Sequence, residues 1–171
     1  SSCYKWLLAT HGVGVFAYRP ERMGALRPAT LGWHSVREHG GPGEPAAMNL
    51  REDASRLEAG NPSFLPIYVL ESALERLDEI DPAASLDHAL RLGDEVIGGL
   101  RRRGHPVITP VAREERAGNV CFLSASAPDL VARLAARGVH VWGSEGRVRV
   151  SLHAYNDSED VARLFDALDG L

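Results

Sequence analysis

The chain has 171 residues, 44% of them hydrophobic and 25% charged, an ordinary globular composition that allows one domain with a real core or two small ones. A net charge of −4 with no long basic run argues against nucleic acid as a main partner. Two cysteines, Cys3 and Cys121, without a CxxC pair argue against a disulfide framework or a zinc site and fit a reducing, cytoplasmic setting.

The first stretch, Ser2-Cys3-Tyr4-Lys5-Trp6-Leu7-Leu8, sets one lysine between two aromatic residues ahead of a glycine-punctuated turn at Gly12 and Gly14. Residues 6–17 are apolar but too short to span a bilayer, and they lack the basic leader of a signal peptide. Residues 13–18 read as a buried strand, and Pro20-Glu21 as the start of a short helix. Residues 27–45, with Gly40-Gly41-Pro42-Gly43, read as a long loop that carries Trp33, His34 and His39. Together with His11 these histidines match no standard ligand spacing, so no metal is expected.

Helical periodicity begins at residue 63 and runs to residue 80, with Ile67, Leu70, Ala73, Leu74 and Leu77 on one face and Pro66 in the first turn. Asp81-Pro82 ends that helix. Ser85 is the expected cap of the next, residues 86–103, with Leu90, Val96, Ile97 and Leu100 as its apolar stripe and Gly104 as its stop. Residues 106–110 read as a short edge strand between prolines. The last third predicts strand 119–124, helix 127–137 ended by Gly138, strands 139–142 and 147–152 around the turn Gly143-Ser144-Glu145-Gly146, and a helix to Leu168 capped by Asp157 or Ser158. Cys121, mid-strand, reads as a small buried hydrophobe.

Two residues stand out chemically. Lys5 reads either as a solvated surface lysine or as an amine held at the lip of a sheet, where desolvation would suit it to be a nucleophile or base. Arg147 and Arg149 share one face of the last strand, and periodicity alone does not choose between them as an anion ligand.

Three ordered segments carry a resemblance. Lys5-Trp6-Leu7 with Gly12, Gly14 and Tyr18-Arg19, then Arg56-Leu57-Glu58-Ala59-Gly60-Asn61-Pro62, then Arg149-Val150-Ser151-Leu152-His153-Ala154-Tyr155-Asn156 together resemble the class V aminotransferase family of fold-type I pyridoxal-phosphate enzymes. That family includes aminotransferases, kynureninase-like hydrolases, cysteine desulfurases and amino-acid epimerases. The resemblance implies an α/β to α+β fold. Residues 1–82 would be the end of the large cofactor domain, and residues 83–171 a small α+β domain of order βαββα, an antiparallel sheet with helices on one face.

It further implies that Lys5 is the covalent cofactor lysine and that Tyr4 and Ser2 lie near the cofactor phosphate. Gly60 and Asn61, where relatives use Gly-Thr, would reach the phosphate in the neighbouring subunit of a homodimer. Arg149 would hold an amino-acid carboxylate, and Gly32-Trp33 would place Trp33 near the substrate. Residues 138–149 contain no cysteine, which removes the desulfurase nucleophile and favours transaminase, epimerase or lyase chemistry. The family's pyridine-nitrogen acid, ring-stacking group and glycine-rich phosphate turn lie upstream of its lysine. An upstream segment is therefore expected, and this chain alone is expected to be inactive or very weak. The rival expectation is a non-catalytic remnant serving as a dimerisation or binding module; a weaker one is a noncovalent anion-binding protein using Lys5 and Arg149.

Overall fold

Alternation of Val120, Phe122, Val148 and Val150 with more polar neighbours decides which face of the C-terminal sheet is closed. In the computed structural model, which describes residues 1–37 and 49–171, the chain divides into two compact units, Ser1–Arg76 and Leu77–Leu171. His39 and the Gly40–Gly43 run of the predicted loop lie outside the described residues.

The second unit follows the predicted order. Strands β1 (Asn119–Leu123), β2 (Trp142–Ser144) and β3 (Arg147–Ser151) form an antiparallel sheet of order β1-β3-β2. Helices α2 (Pro82–Arg102), α3 (Ala127–Ala135) and α4 (Ser158–Asp169) cover one face of it. The core joins Leu92, Val96 and Leu100 of α2 to Phe122, Val148 and Val150 of the sheet and to Val161 and Leu164 of α4. Gly99 allows close packing, because a Cβ there would come within 2.1 Å of the Phe165 ring. Arg103 lies over that ring, 4.3 Å from its centroid, and pairs with Asp169. This pairing holds the Asp169 carboxyl below its ordinary range, chiefly through the Arg103 hydrogen bond.

Helix ends follow local chemistry with one exception to the sequence reading. Asp157 caps α4 in a full capping box with Asp160, whose carboxyl is held low first by the Asn156 amide and then by Arg163. Gly104 and Gly138, both at positive φ, end α2 and α3. Ser85 is not the cap of α2. Asp81 accepts from the Ala83 N–H at 2.9 Å, Pro82 occupies the first helical position, and Ser85 is buried one turn inside.

The β2–β3 connection also departs from the expectation. Glu145 and Gly146, at φ 51° and 73°, make a two-residue turn, so Gly143 and Ser144 are drawn into β2. Residues 139–141, read as strand, run unpaired up to β2. The 106–110 segment pairs with β1 through one bridge, Val107 to Phe122, with the Ile108 N–H donating to Cys121 at 2.9 Å.

In the first unit, residues 20–25 form a short 3-10 helix (Pro20–Ala25) and residues 64–79 form α1 (Phe64–Glu79). On α1 only Leu70 is buried, with Ala73 and Leu77 half-buried. Residues 13–18 do not form the predicted buried strand. Their one ladder contact is a bridge from Gly14 to Ser2, and Val15 and Phe16 are exposed. A β-prone run stays extended but unpaired where no neighbouring strand meets it. Among the described residues no helix is long and apolar enough to cross a membrane.

Candidate functional site

Lys5 sits on a tight turn, not at a sheet edge. The turn is closed by the Leu8 N–H donating to Lys5 at 3.0 Å and the Ala9 N–H donating to Cys3 at 3.0 Å, with Leu8 at φ 54°. Cys3 is buried beneath it and Lys5 is exposed. The amine lies 5.5 Å from the centroid of the Tyr4 ring, which is itself stacked on His11 at 3.9 Å. Tyr4 thus forms a platform beside the lysine. Ser2 holds the turn through its bridge to Gly14.

A second cluster in the same unit joins two of the motif segments. The Ser35 hydroxyl is fully buried, accepts from the Gly32 N–H at 3.1 Å and donates to the Glu58 carbonyl at 2.8 Å. This fastens the 32–35 turn to the 58–61 segment. Gly32 has no room for a side chain, since a Cβ would overlap the Ala59 carbonyl at 1.7 Å. Gly32→Ala should therefore push the two segments apart and cost about 1–3 kcal/mol, read as a lower unfolding midpoint in urea. An unchanged midpoint would mean that the turn moves freely.

The fastened segments leave a recess of about 410 Å³ lined by Trp33, His34, Arg51 and Asn61. Trp33 is 70% exposed at its rim. His34 Nε2 lies 3.1 Å from Asn61 Oδ1. Arg51 Nε donates to the His34 carbonyl at 2.9 Å. Arg56, at the head of the second motif, donates through Nε to the Arg51 carbonyl at 2.7 Å and through Nη1 to the Leu26 carbonyl at 3.3 Å. Arg56 is thus a backbone clamp for the recess. Among the described residues no carboxylate lines this recess, and its donors suit an anion.

Of the described residues that line this recess, the sequence reading named Trp33, His34 and Asn61 and did not name Arg51. Its contact reaches back 17 residues across the loop, and no local pattern signals it.

In the second unit, Arg149 lies mid-strand on the sheet face opposite the core, in register with Cys121 on β1 and Trp142 on β2. Its guanidinium is 5.1 Å from the Trp142 ring centroid, and its buried Nε has no hydrogen-bond partner. Arg147, on the same face, is paired with Glu145 at 2.8 Å. The two arginines that periodicity left equivalent therefore differ: one is neutralised locally and one is not. Cys121 is not a core residue. The core positions of β1 are Val120 and Phe122, and Cys121 is half-buried on the open face beside Arg149.

Comparison with known proteins bears on the whole chain. A sequence model described as Aminotransferase class-V matches residues 1–164. A Pseudomonas putida protein designated "Probable cysteine desulfurase" is 29% identical across 95% of this chain and 43% of its own length. Isopenicillin N epimerase of Streptomyces clavuligerus is 29% identical across 99% of this chain and 46% of its own. The apo structure of a Thermococcus onnurineus cysteine desulfurase superposes with a TM-score of 0.84 at 23% identity, covering 99% of this chain and 46% of that one, and shares the fold. The chain spans less than half the length of the curated relatives it matches. With a family match that reaches from Lys5 to beyond Arg149, the chain belongs to the class V aminotransferase family.

Proposed function

We propose that this chain is the C-terminal part of a pyridoxal-phosphate enzyme acting on an amino acid by transamination, epimerisation or lyase chemistry. The observation that carries the reading is Arg149, an arginine over an indole with an unpartnered buried Nε while its neighbour Arg147 is neutralised. A planar guanidinium held this way suits the two oxygens of an α-carboxylate.

The residues present fit the cofactor in part. Lys5 offers an exposed amine on a fixed turn, and the recess around Asn61 offers donors with no competing acid among the described residues. In the proposed enzyme Lys5 holds the cofactor covalently and later moves the proton at the substrate Cα. Tyr4 and Ser2 support the cofactor phosphate beside it, and Gly60 and Asn61 reach the phosphate in the partner subunit of a homodimer. Trp33 borders the substrate. When bound, pyridoxal phosphate supplies the electron sink that makes the Cα proton removable. Desulfurase chemistry is set aside in this reading, because a two-residue turn without a thiol precedes Arg149 and Cys121 lies within β1. The named relatives stand on both sides of that choice. The setting proposed is cytoplasmic, and the chain by itself is proposed to be inactive or very weak.

The test is an absorbance scan of the chain with pyridoxal phosphate, followed by borohydride reduction and intact mass. A visible band trapped on Lys5 and lost in Lys5→Ala is the expected result for a competent site. A band that survives in Lys5→Ala would sink the lysine assignment. A second reading, a binding or dimerisation module without catalysis, is favoured by the apolar side of α1, where Phe64, Leu65 and Tyr68 are 59%, 73% and 62% exposed. A cooperatively folded chain that dimerises but gives no band would support it.

A further inference from the structure

We infer that His34 is a positioning residue that turns the Asn61 amide so that its NH2 group, with the Arg51 guanidinium, receives a phosphate monoester in the recess. This rests on the proposed reading of Asn61 as a phosphate contact and adds what makes an asparagine work there. An asparagine side chain ends in one acceptor and one donor of nearly equal shape. Left alone, it can present either end to a ligand, and a phosphate accepts hydrogen bonds but repels a carbonyl oxygen. His34 removes the ambiguity. His34 Nε2 lies 3.1 Å from Asn61 Oδ1; in the Nε2–H tautomer it donates to that oxygen, which commits the oxygen and leaves the NH2 group to donate elsewhere.

The same residue is coupled to the charge. Arg51 Nε is fixed on the His34 carbonyl at 2.9 Å, which leaves the two terminal nitrogens of the guanidinium as donors. Glu52, the nearest acid in sequence, is paired with Arg37 at 2.7 Å, and Asp53 accepts from the Ser55 N–H at 3.0 Å and acts on Arg51 only as a nearby charge; neither is among the described residues that line the recess. His34 is itself held because Ser35 and Gly32 fasten its turn to the 58–61 segment. A threonine, which relatives carry where Asn61 stands, needs no such partner, because a hydroxyl rotates its own hydrogen toward an acceptor. His34 and Asn61 therefore act as a pair.

The experiment is a titration of the 171-residue chain with inorganic phosphate, followed through the side-chain amide NMR signals of Asn61 and through Trp33 fluorescence. His34→Ala should weaken phosphate binding about 5-fold, the value of one ordinary hydrogen bond. His34→Gln, which keeps a donor, should recover most of it. In an Asn61→Thr background His34→Ala should change binding less than about 2-fold, since the hydroxyl orients itself. An equal loss in both backgrounds would assign His34 a structural role only and overturn the inference. So would the absence of any phosphate response at Asn61 in the native chain. Phosphate binding with these signatures, but without capture of pyridoxal phosphate by Lys5, would support the recess on its own and leave the Lys5 assignment without support from this chain.

Discussion

Phe122→Ala should lower the unfolding free energy of the second unit by about 3–5 kcal/mol, the range for deleting a large aromatic side chain from a core. Phe122 is fully buried on β1, in the face that α2, α3 and α4 cover, and its ring meets His105 at 5.1 Å between centroids. The cavity left behind is bounded by β3 and α2, which are pinned by their own pairing and cannot both collapse into it. A small domain holds only about 5–15 kcal/mol in total, so a third or more of its stability would go. Urea unfolding followed by far-ultraviolet circular dichroism reads the change. A loss below about 1 kcal/mol would mean that the core relaxes around the gap and that its packing is looser than described.

Asp94→Ala should cost about 2–4 kcal/mol by a different route. Arg116 has a side chain only 2% exposed, threaded past Gly93, where a Cβ would lie 2.5 Å from its Nη1. It is ion-paired with Asp94, and its Nη2 also donates to the Leu90 carbonyl at 3.2 Å. Asp94 additionally takes Arg113, which also reaches Asp87 at 3.1 Å, so the Asp94 carboxylate bridges two guanidinium groups. Removing it strands a buried cation, and that penalty exceeds the value of the pair itself. The lower end of the range allows for Asp94 being 40% exposed, which lets water reach part of the gap. Arg116→Leu in the same background should restore most of the loss, because a filled apolar site carries no stranded charge. A double variant no more stable than Asp94→Ala would show that the cost lies in the lost Asp94 contacts rather than in Arg116.

Where spacing alone carries the information, the sequence was readable. The apolar stripe of α2 and the start of α4, narrowed to Asp157 or Ser158, needed only neighbours three or four positions away. The cap of α2 was misplaced at Ser85 because a serine before an apolar run is a strong local signal. Asp81 with Pro82 behind it starts the helix a turn earlier at a positive φ that no pattern announces. Strand β2 was misplaced because Val139 and Val141 are strongly β-prone, whereas Gly143 and Ser144 are not. Pairing is set by the turn that follows, not by propensity. The motif segments name Lys5, Asn61 and Arg149 as candidates, but not what surrounds them. Arg51, the His34 ring and the local neutralisation of Arg147 depend on contacts that only the folded chain brings together.

The Glu145-Gly146 turn limits how the Arg149 face can diversify. With two residues and no slack, the hairpin cannot lengthen or shorten by one without reassigning which residue stands opposite Trp142. Graded insertion, the usual way a loop-built pocket samples new ligands, is closed to it. Variation among descendants of this sequence would have to proceed by replacement at fixed positions, Cys121 and Trp142 first, with Arg149 kept in its row between them.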